Sequence, residues 1–254
     1  MRVVSPSLEP TDRPASGTVE RAARHLREGG LVILPTDTVY GIGCAAGDGG
    51  AVSRLLAAKG RGRQMPPPIL VSSPEDLQGL AQCPAGAQDL IEAFWPGPLT
   101  LVLDADGRLD WDLGETGGTI AVRMPNHPLA LELLARSGPA AVTSANLSGQ
   151  PPATTADQAE RAFAGRARRL NDPGGAGEPQ IQLEPDSIAL LDAGPTPGPV
   201  PSTIVDLSSR AAEEGTILRR GALEESRIRA VLAGHAPAAG SSPAVAAAPA
   251  GGGA

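Results

Sequence analysis

The sequence predicts an α/β protein built on an open, twisted mixed sheet with flanking helices, and three observations carry that expectation. Short strand-like apolar runs alternate with segments of helical periodicity, but without the strict order of a repeated strand–helix–strand unit. Gly 32 and Pro 26 in a chain of 254 residues punctuate it into many short elements. Hydrophobic residues make up 41 % and aromatic residues only 2 %, so the core must be assembled from Leu, Ile, Val and Ala. The length suits one large α/β domain or two small ones.

The elements follow in order. Val19, Ala22, Ala23 and Leu26 recur at helical spacing, and Gly29-Gly30 ends that helix. Leu31-Val32-Ile33-Leu34 reads as a buried strand stopped by Pro35. Gly50 to Lys59 reads as a helix with Val52, Leu55 and Leu56 inside, and Lys59 at its C-terminal end suits the helix dipole. Ile69 to Ser72 is a short strand, and helical patterns follow around Pro74 to Ala81 and Ala87 to Trp95. Leu99 to Leu103 and Thr119 to Met124 are strands, His127 to Arg136 a helix, Ala140 to Thr143 a strand and Thr155 to Phe163 a helix. Ile188 to Leu191, Thr203 to Leu207 and Thr216 to Leu218 complete the strands, and Leu223 to Leu232 closes the domain as a helix. Asn171 to Pro185 is rich in Gly, Pro and acids and reads as an exposed loop. The expected organisation is an N-terminal extension over 1–15, a catalytic domain over 16–233 and a disordered Ala/Gly/Pro tail over 234–254.

No apolar run approaches the ~18 residues that span a bilayer, and the first fourteen residues lack the apolar stretch of a signal peptide. Cys44 and Cys83 are isolated, with no metal-ligand partners at the usual spacings, which fits a reduced cytoplasm. The net charge of -7 argues against strong, non-specific nucleic-acid binding. Yet Arg54, Lys59, Arg61 and Arg63 fall between Val52 and Val71 with no acid among them, the pattern of a binder of small anions. Of the 21 lysine and arginine residues, only Lys59 is lysine. Arginine cannot replace lysine where a compact ammonium must fit a tight site; chance survival of one lysine is the alternative.

Several signatures are missing. There is no G-x-x-x-x-G-K-[ST] phosphate loop, no dinucleotide fingerprint at Gly60-Arg61-Gly62 and no G-x-S-x-G elbow. His25, His127 and His235 form no zinc-binding pair, and His127 follows Asn126, a candidate helix cap, which favours a structural role for it. The chemistry left to this chain is that of cations, hydroxyls and backbone amides.

Four segments offer it. Pro35-Thr36-Asp37-Thr38-Val39-Tyr40-Gly41 puts hydroxyls and amides at a strand's carboxyl end, and equally makes an Asx-type turn. Lys59-Gly60-Arg61-Gly62-Arg63 sets cations two apart on a glycine-broken backbone, either converging on a polyanion or forming a solvated basic loop. In Thr119-Ile120-Ala121-Val122-Arg123, Thr119 shares the face of Arg123, whose guanidinium suits a ligand carboxylate or one of the protein's own acids. Thr143-Ser144-Ala145-Asn146-Leu147-Ser148-Gly149 is a donor-rich turn able to hold phosphate or hydrated magnesium, or a simple capped turn.

Together these segments resemble the YrdC/TsaC family, the threonylcarbamoyladenylate synthases. The resemblance also runs through Trp95-Pro96-Gly97-Pro98-Leu99-Thr100, Ser202-Thr203-Ile204-Val205-Asp206 and Leu218-Arg219-Arg220-Gly221, in the family's order from about Thr18 to Leu232. The paired signature K-x-R with S-x-N is met by Lys59, Arg61, Ser144 and Asn146, which the resemblance makes the catalytic set. It implies a YrdC-like fold in the short, single-domain form, with Thr36, Arg123, Thr143 and Ser202 on L-threonine. Lys59, Arg61, Arg63, Thr119, Ser144, Asn146 and Arg219 would surround ATP and its Mg2+, with no side-chain metal cluster. Threonine, bicarbonate and ATP would give threonylcarbamoyl-AMP and pyrophosphate, and a downstream tRNA-modifying transferase would use the product. Where the family usually shows a Pro-Leu-Ile-Val-His-like run, this chain has Pro67-Pro68-Ile69-Leu70-Val71-Ser72. Competing readings are a carbamoyl-phosphate-handling relative, an RNA-binding module and a nucleotide sensor.

Overall fold

The structure, a computed structural model, describes residues 16–170, 183–184, 186–211 and 214–234. The expected extension over 1–15, the tail beyond Gly234 and most of the expected loop over 171–185 lie outside the described residues.

Among the described residues six helices and ten strands alternate irregularly: α1 (Ser16–Arg27), β1 (Leu31–Leu34), β2 (Gly41–Ala45), α2 (Gly49–Lys59), β3 (Ile69–Leu70), α3 (Ala85–Phe94), β4 (Leu99–Asp104) and β5 (Thr119–Arg123) come first. α4 (Pro128–Ser137), β6 (Ala140–Ser144), α5 (Ala156–Ala162), β7 (Ala167–Arg169), β8 (Ile188–Leu190), β9 (Thr203–Asp206), β10 (Thr216–Arg219) and α6 (Glu225–Leu232) follow. The expected helix around Pro74 is a single 3-10 turn, Pro74–Leu77, held by Asp76. Strands β2 and β7 are additions to the sequence reading. The helix after Asn126 begins at Pro128 and its cap position is His127, not Asn126; the His127 side chain makes no capping bond.

All ten strands form one sheet in the order β10-β9-β4-β5-β3-β6-β2-β1-β8-β7. It is mixed: β1 pairs antiparallel with β2 and parallel with β8, and β4 pairs antiparallel with β5 and parallel with β9. Alternation along each strand divides the core between the two faces. Leu31 and Ile33 join a cluster that also takes Leu55 and Leu56 from α2, Leu90 and Phe94 from α3, and Ile228 and Val231 from α6. Val32 and Leu34 point the other way, into a cluster with Val19, Ala23 and Leu26 of α1 and Leu129, Leu133 and Leu134 of α4.

This second cluster fixes where the site lies. Helices α1 and α4 cover their face over β1, β3, β6 and β8, whose Val32, Leu34, Leu70, Ala140, Val142 and Ala189 join that cluster. Over β4, β5, β9 and β10 the opposite face is packed, with Leu99, Leu101, Leu103, Ile120, Val122 and Val205 buried. The side chains that alternate with these stand where the helical cover has run out. Among the described residues no helix is long and apolar enough to cross a membrane.

Candidate active site

The uncovered half of the sheet forms the floor of a cleft of about 570 Å³. Thr100 and Val102 of β4, Thr119, Ala121 and Arg123 of β5, and Ile204 of β9 make that floor. Leu70 and Val142 belong both to the cleft wall and to the α1/α4 core, so the cleft begins at the edge of that core. Strand β2 abuts this seam closely: a Cβ on Gly43 would lie 2.6 Å from Val142 Cγ2 and 2.7 Å from the Ala141 carbonyl oxygen. That close approach explains a glycine-rich strand in the middle of a sheet.

Nine of the eleven residues expected at the site line this one cleft: Thr36, Arg61, Thr119, Arg123, Thr143, Ser144, Asn146, Ser202 and Arg219. Segments up to 183 residues apart in sequence, from Thr36 to Arg219, therefore converge. Among the described residues the wall carries three arginines and no Asp, Glu, His or aromatic side chain.

Each arginine is held differently. Arg123 is 6 % exposed. Its Nη2 pairs with Asp37 Oδ1 at 2.5 Å, its Nη1 donates to Thr38 Oγ1 at 3.1 Å and its Nε donates to the Gly97 carbonyl at 3.0 Å. The choice left open in the sequence is thereby made in this structure: the carboxylate on Arg123 is the protein's own Asp37. Three of five guanidinium N–H groups are used, which leaves two for a ligand. Arg219 donates from Nε and Nη2 to the Ser202 carbonyl at 3.1 and 2.8 Å, and from Nη2 to Ser202 Oγ. Arg61 donates to Thr143 Oγ1 at 3.3 Å. Among the described residues no carboxylate pairs with Arg61 or Arg219. Burial, and then the charges of Arg123 and Arg61, lower the Arg219 pKa, so the three guanidinium groups feel one another across the cleft.

Arg219 reaches the cleft by an irregularity of strand β10. Pairing with β9 runs Thr216 to Asp206 and Ile217 to Val205, and then skips to Arg219 against Ile204, so Leu218 is bulged out. Ile217 packs on the core, whereas Leu218 and Arg219 both line the cleft. Two consecutive residues facing one side is what an inserted strand residue produces.

The remaining two expected residues stand off the wall. Lys59 is 3 % exposed and lies beneath the loop after β6, its Nζ donating to the carbonyl oxygens of Ser144, at 2.5 Å, and Asn146. The sequence reading put this ammonium on a ligand phosphate; the structure puts it on backbone carbonyls, because α2 ends with the lysine pointing inward. Arg63 is half exposed and pairs with Asp112, which draws it to the outer surface. Ser72, in place of the family's usual histidine, spends its hydroxyl on Asp76 at 2.7 Å. Tyr40 is fully buried, and its hydroxyl donates to the Gly194 carbonyl at 2.6 Å rather than facing the cleft.

Sequence reasoning included Thr38 and Thr100 in its motifs but gave neither a role at the site. Thr38 lines the cleft and steadies Arg123, and Thr100 shares a 2.8 Å hydrogen bond with Ser202 Oγ. A buried hydroxyl in the otherwise apolar run Leu99–Leu103 was the signal available. The large hydrophobic side chains exposed among the described residues are Met65, Leu147, Val200 and Leu218. Met65 and Leu218 line the cleft, Leu147 follows Asn146, and Val200 sits between Pro199 and Pro201, so the mouth has an apolar rim.

The Sua5/YciO/YrdC family model, described as "Telomere recombination", matches residues 24–221. The chain belongs to this family. A Sua5/YciO/YrdC relative from Mycobacterium tuberculosis, named a putative threonylcarbamoyl-AMP synthase, is 45 % identical over 208 residues, which is 82 % of this chain and 85 % of the relative. The Bacillus subtilis threonylcarbamoyl-AMP synthase is 37 % identical over 219 residues, covering 84 % of this chain and 56 % of that protein. Among solved structures, Pyrococcus abyssi Sua5 complexed with L-threonine superposes with a TM-score of 0.73 at 37 % identity, over 86 % of this chain and 58 % of that one. The chain thus spans most of its mycobacterial relative and little more than half of the Pyrococcus protein. These likenesses agree with the expected YrdC-like fold.

Proposed function

We propose that this chain is an L-threonylcarbamoyladenylate synthase, a nucleotidyltransferase of the cytoplasm that makes threonylcarbamoyl-AMP and pyrophosphate from L-threonine, bicarbonate or CO2, and ATP. The observation that carries the reading is a wall with two guanidinium groups, Arg61 and Arg219, that no acid among the described residues neutralises, opposite a third, Arg123, set among threonine and serine hydroxyls. A carbamate oxygen formed on the threonine amine is already anionic. Its attack on the α-phosphorus of ATP needs no general base, and among the described residues the wall offers no Asp, Glu or His to act as one. The barrier lies in bringing anions together and stabilising charge on phosphate and departing pyrophosphate. Fixed cations do both.

In this reading Arg61 and Arg219 take phosphate oxygens, with Thr119, Ser144 and Asn146 on the rest of the nucleotide and Arg63 at the loop's outer end. Arg123 directs its two spare N–H groups at the threonine carboxylate, and Thr36, Thr143 and Ser202 surround the side of the cleft where the amino acid lies. The apolar rim of Met65 and Leu218 suits the nucleotide base. Mg2+ would arrive with ATP. Among the described residues no group of His, Cys, Asp or Glu could hold a metal ion, but Asn146 Oδ1 is buried without a partner and Ser144, two residues earlier, lines the same cleft. Neutral oxygens of this kind fit a cation that keeps waters and binds chiefly through substrate phosphates, whose charge it would offset. The product then serves a transferase that modifies adenosine in tRNA.

Pyrophosphate release from ATP, with threonine and bicarbonate omitted in turn, tests the reading. It requires both co-substrates; release that ignores threonine would overturn it.

A further inference from the structure

We propose that Lys59 is a positioning residue: its ammonium gathers the Ser144 and Asn146 carbonyl oxygens from beneath the wall and so holds the Ser144–Asn146 turn in the shape that presents its hydroxyl and amide to the nucleotide. The inference rests on the function proposed above and replaces the direct phosphate contact expected from the sequence.

Four observations carry it. Lys59 is buried and absent from the cleft wall, whereas Ser144 and Asn146 are on it. Two of the three ammonium donors go to carbonyls two residues apart. Carbonyl dipoles drawn together in this way repel one another, and a cation between them removes that repulsion. The same lysine grips the far side of the loop through its backbone, since its own carbonyl accepts the Ser148 N–H at 3.3 Å and the Ser148 hydroxyl at 2.9 Å. Finally, the end of α2 separates the two cations of the Lys-x-Arg signature. Gly60 adopts φ 62°, the Gly60 N–H donates to the Ala57 carbonyl and the Arg61 N–H to the Leu56 carbonyl. This left-handed helix end reverses the chain, so Arg61 turns into the cleft while Lys59 stays under the loop.

The geometry also accounts for the composition. Apart from three histidines, every other basic residue in the chain is arginine. A planar guanidinium is larger than an ammonium and cannot replace it in a fully packed space between an α-helix end and a turn without displacing one of them. One lysine persists where the compact cation is required.

The test measures amide hydrogen exchange of the full chain without ligand, beside pyrophosphate release. In Lys59→Met, exchange over residues 144–150 speeds up by about 10- to 100-fold, the loss of a hydrogen bond to a charged group, while α1 and β4 keep wild-type protection. Turnover falls by about 100-fold, Lys59→Arg does not restore it, and the unfolding midpoint does not drop, because methionine replaces a buried charge by an apolar chain of similar length. Should Lys59→Met fold poorly, the wild-type loop is compared below and above titration of the ammonium, corrected for intrinsic exchange; faster exchange above it carries the same conclusion. Unchanged loop protection in Lys59→Met, together with weakened ATP binding, would overturn the proposal in favour of a phosphate contact. A wild-type enzyme with a protected loop but no threonine-dependent turnover would overturn the functional reading and not the clamp.

Discussion

Asp37 Oδ1 lies 2.5 Å from Arg123 Nη2, with the two side chains 12 % and 7 % exposed, and the same oxygen accepts the Asn126 N–H at 3.0 Å. One carboxylate therefore joins the loop after β1 to the end of β5 and the approach to α4. Removing one member of a buried pair strands the other. Asp37→Leu is expected to destabilise the fold by about 3–5 kcal/mol, and Asp37→Asn, which keeps an acceptor, by less. Urea denaturation gives the first quantity. The threonine KM gives the second consequence, since an Arg123 released from Asp37 no longer holds its spare donors in place.

Arg61 and Arg219 differ from Arg123 in having hydroxyl and carbonyl partners but no acid among the described residues. Their charge is available to a ligand. Arg219→Ala and Arg61→Ala are each expected to lower the rate by about 10²–10³ with little change in stability. Because the wall is partly open, added salt should weaken ATP binding in the wild type, and less so in Arg219→Ala. Equal salt dependence in the two proteins would count against phosphate binding by Arg219.

Much of this architecture was legible in the chain. Buried runs such as Leu31–Leu34 and Leu99–Leu103 and the periodicity of Val19 to Leu26 mark their elements by apolar pattern alone. Strand β2 was not legible, since Gly41-Ile42-Gly43-Cys44-Ala45 has little strand propensity of its own. Its glycines are explained only by Val142 on the neighbouring strand, which sequence cannot place beside them. Strand β7, Ala167-Arg168-Arg169, is a short sheet edge with no apolar alternation. The residue types at the site were readable, and their convergence was expected from segment order. What could not be read was direction: Lys59 and Arg61 differ by two positions, and the left-handed Gly60 between them sends one beneath the loop and the other into the cleft.

Gly60 gives a further prediction. A Cβ there would meet no atom within 4 Å, so Gly60→Ala carries only the backbone penalty of a left-handed residue, about 1–2 kcal/mol. Gly43→Ala adds a methyl group against Val142 and the Ala141 carbonyl and should cost more, about 1–3 kcal/mol from overpacking. Thermal unfolding of the two variants ranks them.

The pH dependence has two limbs, and on the basic one stability and activity move in opposite directions. Burial, then the charge of Arg61, brings the Lys59 ammonium down to about 8 from its usual 10.5. Between those values the unfolded chain holds a proton that the folded chain has released, so this group makes stability rise with pH from about 8 to 10.5. Activity should fall over the start of the same range, because the neutral amine no longer places a cation between two carbonyls. On the acid side, burial holds His127 at about 4 against 6.5, opposed by the Asp37 carboxylate. Its contribution to stability is complete above 6.5 and is lost as pH falls toward 4. His127→Gln should flatten the acid limb, and Lys59→Met the basic one, in chemical denaturation at a series of pH values.

The bulge in β10 offers the sharpest test of how the cleft is built. With Leu218 present, Ile217 faces the core while Leu218 and Arg219 both face the cleft. Deleting Leu218 restores strict alternation, in which Arg219 follows Ile217 on the cleft side and keeps its place against Ile204, but the bend and extra twist that the bulge gives the strand, and with them the aim of the Arg219 side chain, are lost. Thr203, whose Oγ1 accepts the Gly221 and Leu223 N–H groups at 3.0 and 3.1 Å, keeps its place, so the deletion isolates the effect of the bend. Substituting Leu218→Gly instead keeps the bulge and removes only the apolar rim. If the bulge sets the site, the deletion should abolish turnover, about as far as Arg219→Ala or further, while Leu218→Gly should chiefly raise the KM for ATP. Comparable losses in both variants would mean that the leucine side chain, and not the extra residue, is what the cleft requires.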